Sequence, residues 1–217
     1  MLVMTSLAAI LRGVERGAFP PPDLGLTVVP APSERGSCVV AFTGHIVIAA
    51  DIDPAWVAQR VPDGDPFAPT SPRFLAALQE FTGRQVNTID AMLLAPALTD
   101  PAPRDAALAG LTELVDPEHP RVEHALRYRD DVRVYGDPHR GLVVIGHGLA
   151  GRLECAIEVP PEARDHGNGR RLARTARALI GSDASVWAQI TPGNAASMRT
   201  FLAAGFKPVG SEALLVG

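Results

Sequence analysis

Cysteine is scarce in this chain. Cys38 and Cys155 are the only two among 217 residues, they lie far apart, and each sits inside an apolar run. That count excludes a disulfide framework and predicts two free, buried thiols. No zinc-type spacing appears among the cysteines and six histidines, so no metal is expected. An excess of basic residues is also missing. The net charge is -4 and the pI near 5.8, which disfavours a nucleic-acid partner. No run approaches the ~20 apolar residues of a bilayer span. Residues Met1 to Leu11 are mildly apolar but lack a basic leading region, and Thr5, Ser6 and Arg12 interrupt or end the stretch. They read as a short amphipathic helix rather than a signal peptide, and the expected location is cytoplasmic, with no membrane partner.

Hydrophobic residues make up 47% of the chain, enough for a sizeable core without disorder. Proline and glycine punctuate the first hundred residues: Phe19-Pro20-Pro21-Pro22, Val29-Pro30-Ala31-Pro32 and Pro62-Asp63-Gly64-Asp65-Pro66. Strands are expected at Leu26–Val29, Cys38–Phe42, Ile46–Ala50 and Ile89–Leu94. Asp53-Pro54 and Ser71-Pro72 are helix starts, the first running to Arg60 and the second covering Phe74 to Phe81 before Gly83. The boundary suggested by Thr99–Pro103 divides residues 1–104, a mixed region without a nameable motif, from residues 105–217. In the second part, helices are expected at Asp105–Val115 and Arg121–Arg129, then strands at Val132–Tyr135, Leu142–His147 and Arg152–Val159. Ala150-Gly151 joins the last two as a hairpin. A helix from Gly167 to Ile180, a strand Val186–Ile190, a helix Asn194–Ala204 and strands Phe206–Val209 and Ala213–Val216 complete the pattern.

The informative stretch is Ile157 to Leu172, where an apolar strand enters a loop holding Arg164, Gly167 and Gly169 and the loop opens a helix. Glycine lets a backbone turn tightly and expose its amides. The first N–H groups of a helix lack internal partners, and the helix dipole adds positive charge there. The combination suits a diphosphate. A P-loop would need lysine followed by serine or threonine after the second glycine, and Arg170-Arg171 stand there instead. A dinucleotide fingerprint would need glycine or alanine where Leu172 stands.

Val159-x-Pro161-x-x-Arg164-x-x-Gly167-x-Gly169 resembles the Arg-x-x-Gly-x-Gly loop of the GCN5-related N-acetyltransferase superfamily. A second segment in register, Asn194 to Phe206, resembles that family's second coenzyme-contacting helix, Asn-x-x-(Ser/Ala)-x-x-x-aromatic-x-x-x-Gly-Phe. The resemblance covers about half of the chain, from near residue 105 onward. It implies an α/β (α+β) fold with a mixed, mostly antiparallel sheet flanked by helices, to which the N-terminal region is an addition. It implies N-acyl transfer from acetyl-coenzyme A, a cosubstrate used without a metal, to a primary amine of a small molecule or protein. A homodimer is compatible with it. Backbone groups of Ile157 and Val159 would meet the pantetheine arm. Arg164, His166, Gly167, Asn168, Gly169 and Arg170 would hold the diphosphate, with Asn194 and Ser197 also on the cofactor. Adjacent strands would part to admit it.

Two departures bear on chemistry. Phe201 stands where many family members carry a tyrosine acid, and phenylalanine donates no proton. The resemblance places a general base on the strand holding Glu154 and Glu158, which a two-residue period points to one side. Either carboxylate is a candidate, and a role as a solvated or paired strand carboxylate stays open for both. Tyr135 is an outside candidate for proton transfer. A second function class follows from Phe201: a non-catalytic acyl-coenzyme A sensor. Arg174 and Arg177 are expected on a solvated helix face, His45 and His147 as surface or hydrogen-bonded side chains, and Trp56 and Trp187 as core anchors. His119, His124 and His139 show no metal pairing.

Overall fold

The computed structural model describes residues 6–62, 65–115, 117–137 and 141–217, with backbone alone at Asp137. The expected helix residues Met1 to Thr5, the turn residues Asp63-Gly64 and His139 lie outside them. The fold is mixed α/β, with a mostly antiparallel sheet flanked by helices. Two compact units result: residues 1–92 with 209–217, and residues 93–208.

The first unit opens with helix α1 (Leu7–Glu15), whose buried Leu7, Leu11 and Val14 recur at helical spacing while Ser6 caps the Ala9 amide at 3.3 Å. Strands β1 (Gly25–Val29), β2 (Gly36–Phe42) and β3 (His45–Ala49) follow, then helices α2 (Pro54–Ala58) and α3 (Pro72–Thr82) and strand β4 (Gln85–Pro96). Asp53 and Ser71 cap α2 and α3 with proline in the first turn, and Gly83 ends α3 in the left-handed region. β3 pairs with β1 in parallel and with β2 antiparallel. Val39, Ile48, Phe74 and Leu78 lie at the centre of this unit's core.

The second unit contains α4 (Pro101–Leu108), β5 (Thr112–Leu114), α5 (Pro120–Tyr128), β6 (Asp130–Asp137), β7 (Gly141–His147), β8 (Leu153–Glu158), α6 (Asn168–Ala178), β9 (Ser185–Ile190) and α7 (Ala195–Ala203). β5, β6, β7 and β8 pair antiparallel in succession, and β8 meets β9 in parallel. The last strand, β10 (Lys207–Val216), pairs with β2. Core residues from β7, β8, α6, β9 and α7 cluster around Val143, Leu172, Val186 and Phe201. Among the described residues no helix is long and apolar enough to cross a membrane.

The structure corrects two sequence expectations. The helix expected over Asp105–Val115 stops at Leu108, because Gly110 turns left-handed at φ 73° and Thr112–Leu114 then pair with β6. The two strands expected at Phe206–Val209 and Ala213–Val216 are one strand. Gly210 marks a close approach rather than a turn: a Cβ there would meet the Ala41 carbonyl oxygen at 2.4 Å. Residue 104 lies in α4, which Thr175 ties to α6 by donating to the Ala107 carbonyl at 2.8 Å.

One polar cluster is buried in the second unit. Glu154 accepts from Arg152 Nε at 2.8 Å, Arg129 Nε at 2.9 Å and the Leu149 amide at 3.2 Å. Arg152 also lies 5.2 Å from the Trp187 ring centroid. Burial alone would raise the Glu154 pKa, but attraction to Arg152 and Arg129 and the hydrogen bonds hold it below the ordinary 4.5. A depressed folded-state pKa means stability that is present above the unfolded value and lost as pH falls through the folded one. Two outcomes are expected. Glu154→Ala, which deprives both guanidinium groups of this carboxylate, costs roughly 3–5 kcal/mol in denaturant titration at neutral pH. The gap between wild type and variant narrows as pH is taken below the usual glutamate range; a gap independent of pH contradicts the assignment.

Candidate functional site

β8 and β9 do not run together to their ends. Among the described residues their register is one pair, Glu154↔Trp187, so the strands part beyond it toward their C-terminal ends. Parting leaves edge groups of two neighbouring strands facing a cleft, the kind of edge an extended ligand can join. Both residues of the last pair belong to the buried cluster, Glu154 as its carboxylate and Trp187 under Arg152. Gly148 admits that carboxylate: a Cβ there would lie 2.3 Å from Glu154 Cδ. The alternation expected on β8 holds. Leu153, Cys155 and Ile157 face the core with α6 and α7, while Glu154 and Glu158 face the side that holds Arg129 and Arg121. Burial pushes the Cys155 thiol up to about 12, and Cys38 is buried as well and forms no disulfide, so neither is poised for nucleophilic work.

Past β8 the chain makes a single 3-10 turn at Pro161–Ala163 and then a sharp loop into α6. Two of its residues are left-handed, Asp165 at φ 62° and Gly167 at φ 76°. The conformation costs an aspartate about 1 kcal/mol, and such strain clusters at functional loops. Asn168 holds the loop closed by donating from Nδ2 to the Ala163 carbonyl at 2.9 Å, and the His166 ring folds back 2.5 Å from the Arg164 carbonyl. Gly167 occupies the N-cap position of α6, and among the described residues no side chain caps the first helical amides, those of Asn168, Gly169 and Arg170. Open space surrounds the Gly167 Cα, whereas a Cβ on Gly169 would press on Thr200 of α7 at 3.1 Å. One glycine exposes the amides; the other brings two helices together.

The contact at Thr200 ties α6 to the second segment. Asn194 caps α7 by accepting from the Ser197 amide at 3.1 Å, which occupies its Oδ1 and leaves its amide nitrogen for another partner. Phe201 is buried and packs edge-on against Phe206 at 4.9 Å between centroids, so the position expected for a proton donor is core. Ile157 and Val159 lie at the end of β8 with side chains on that core. The Val159 carbonyl accepts from Arg164 Nε at 3.1 Å, so that main-chain oxygen is already engaged. Arg164 and Arg170 are exposed at the loop mouth. Arg171 instead turns away to the Ala109 carbonyl.

The two candidate bases differ sharply. Glu154 is enclosed and doubly paired, which leaves it no route to a substrate. Glu158 is half-buried and lines a cavity of about 860 Å³. Its Oε2 accepts from Arg121 Nε at 2.9 Å and Nη2 at 2.8 Å. Its Oε1 lies 3.8 Å from Arg164 Nη2, outside hydrogen-bond range. Leu114, Leu142, Pro120 and Pro160 supply apolar wall, and His119 and His124 complete the polar side. His119 caps α5 through Nδ1, which accepts from the Arg121 amide at 3.1 Å. Burial, then Arg129, Arg121 and Arg127, lowers the His124 pKa, so its imidazole is neutral at neutral pH. Reading the sequence did not find Arg121, His119 or His124 as site residues. Arg121 is 37 positions from Glu158, and only the His119-Pro120 helix start marks the place where α5 turns it inward.

Other candidates fall elsewhere. Tyr135 is buried on β6, and burial raises its pKa. His147 lies 3.5 Å from Asp131 Oδ2. His45 is buried between Asp23 at 2.8 Å and Thr27 at 2.9 Å. Trp187 is fully buried, and Trp56 packs on Phe74 and Phe81, so both serve as core anchors. Arg174 is exposed as expected. Arg177 is not a solvated side chain: it donates to the Pro96 carbonyl at 2.9 Å and the Ala204 carbonyl at 2.7 Å. Among the described residues no group of three metal-ligating side chains occurs.

No protein-family model and no curated protein matches the sequence. Solved structures do share features with it. A GCN5-related N-acetyltransferase from Kribbella flavida aligns at 18% identity over 85% of this chain and 88% of its own, with a TM-score of 0.41. A protein from Novosphingobium aromaticivorans assigned to the GNAT family of acetyltransferases aligns at 19% identity over 62% of this chain and 67% of its own, with a TM-score of 0.41. A GCN5-related N-acetyltransferase from Sphaerobacter thermophilus aligns at 14% identity, TM-score 0.39, over 67% of this chain and 56% of its own. The solved structures to which this chain is similar thus include members of the GCN5-related N-acetyltransferase family.

Proposed function

We propose that this chain is an N-acyltransferase that moves an acetyl or other short acyl group from acetyl-coenzyme A directly to a primary amine. The observation that carries the reading is the parting of β8 and β9 together with the uncapped start of α6, whose Gly169 lies against Val159 just past β8 and against Thr200 of α7. The residues present fit the donor. Uncapped amides of Asn168, Gly169 and Arg170, with the Arg164 and Arg170 side chains, suit a diphosphate. The free main-chain edge at Ile157 and the Asn194 amide nitrogen suit the amide-bearing arm. When bound, the thioester supplies an activated acyl carbon.

The chain's own part is positioning and proton handling. Holding amine and thioester in one cleft removes much of the entropic cost of their encounter. Glu158 stands at the acceptor side as the group that takes the amine proton while the C–N bond forms and the C–S bond breaks. Phe201 offers the departing sulfur no proton, so the sulfur leaves as thiolate. Thiols with a pKa of about 8.5 tolerate that near neutral pH. The same phenylalanine favours a second reading, an acyl-coenzyme A sensor that binds and does not turn over.

Thiol release separates the two. Incubation with acetyl-coenzyme A and a broad panel of amines should liberate free thiol with at least one acceptor, and Glu158→Gln should cut kcat by roughly 100-fold or more. Tight binding without thiol release across the panel would leave the sensor standing. Gly167→Glu puts a carboxylate against the diphosphate and should weaken coenzyme A binding at least about tenfold in calorimetry. Unchanged affinity would show that the donor binds elsewhere.

A further inference from the structure

Glu158 and Arg121 sit side by side on the wall of the 860 Å³ cavity, and their pairing is lopsided. Both hydrogen bonds from Arg121 fall on one carboxylate oxygen, Oε2. Among the described residues Glu158 Oε1 has no hydrogen-bond donor within range, with Arg164 Nη2 at 3.8 Å, and Arg121 Nη1 has no acceptor. Among the described residues, the two side chains on this wall therefore carry one unfilled acceptor and one unfilled charged donor. They belong to adjacent side chains, against walls made by Leu114, Leu142, Pro120 and Pro160.

We propose that this cavity is the acceptor site and that it selects a free α-amino acid with an apolar side chain, its ammonium on Glu158 Oε1 and its carboxylate on Arg121. The proposal rests on the acyltransferase reading of the same site. A ligand with a single charge serves this pair badly. A bare amine meets a carboxylate already shared with Arg121, and a bare carboxylate meets a guanidinium already shared with Glu158. A zwitterion with charges two bonds apart satisfies both at once, and each new contact is a charge-assisted hydrogen bond. The apolar wall gives the side chain a surface to bury. Charge also couples binding to proton transfer. A substrate carboxylate competes for Arg121 and loosens its hold on Glu158, which frees that carboxylate to face the ammonium. On the same wall His119 is engaged as the α5 cap through Nδ1, and burial lowers the His124 pKa.

Calorimetry on the full chain, with and without saturating coenzyme A, tests it without requiring turnover. The probes are L-leucine, L-leucinamide, isoamylamine and 4-methylpentanoate, which keep one apolar body and vary the two charges. L-Leucine should bind at least about tenfold more tightly than each of the other three. Arg121→Met should abolish its advantage over leucinamide, while Arg121→Lys, which keeps the charge and loses the fork, should retain part of it. Equal binding of leucinamide or isoamylamine to the wild-type chain, or no binding of leucine, overturns the proposal whatever the variants do. Thiol release with amines other than amino acids would in that case leave the acyltransferase reading intact. Leucine binding without thiol release from any acceptor would sink the acyltransferase reading and leave the site assignment standing.

Discussion

The parting of two strands depends on a carboxylate held between two guanidinium groups. Glu154 is the last residue of β8 in register with β9, and its oxygens accept from Arg152, Arg129 and the Leu149 amide. Its partner in register, Trp187, lies under Arg152. The point where the strands stop pairing is therefore fixed from both sides by charge and by an aromatic face. A buried ion cluster is a poor source of stability compared with an apolar core, because desolvation offsets most of the attraction. What it provides is position. If the register slipped by one residue, Glu154 would turn into the apolar core and Cys155 would meet the arginines. The cleft opens where it does because the alternative registers bury charge without partners.

Beyond the parting, the backbone is shaped by a few small residues with distinct duties. Asp165 and Gly167 take left-handed conformations that reverse the chain, and Asn168 locks the reversal by binding the Ala163 carbonyl. Gly169 lets α6 lie against Thr200 of α7. Among the described residues no side chain caps the amides at the start of α6, where the helix dipole adds positive charge. Removal of any one of these small residues would alter a different property: direction, closure or approach.

Much of this was legible before the structure. Alternation on β8 gave the facing of Glu154 and Glu158, and the glycine spacing gave the start of α6 to within a residue. Ser71-Pro72 and Gly83 bounded α3 closely, since caps are local chemistry. What stayed hidden was non-local. Arg121 reaches Glu158 across 37 positions, and no periodicity in α5 reveals that contact. Phe206–Val209 and Ala213–Val216 read as two strands until Gly210 is seen against the neighbouring Ala41, and Arg177 reads as solvated until two carbonyls are found at its tip. Choosing between Glu154 and Glu158 was likewise beyond the sequence: both alternate correctly, and only the arginines around them tell an enclosed carboxylate from an accessible one.

Phe201 carries a last consequence. Its ring is wedged edge-on against Phe206 inside the apolar cluster, with 4% of its surface reached by solvent. Adding a phenolic oxygen there would sink a polar atom into hydrocarbon, a penalty of about 1–3 kcal/mol when nothing answers it. The missing acid is thus not one point change away. In the acyl transfer proposed above, the rate would then follow the intrinsic acidity of the sulfur being expelled, climbing across a series of synthetic thioesters as their thiols grow more acidic.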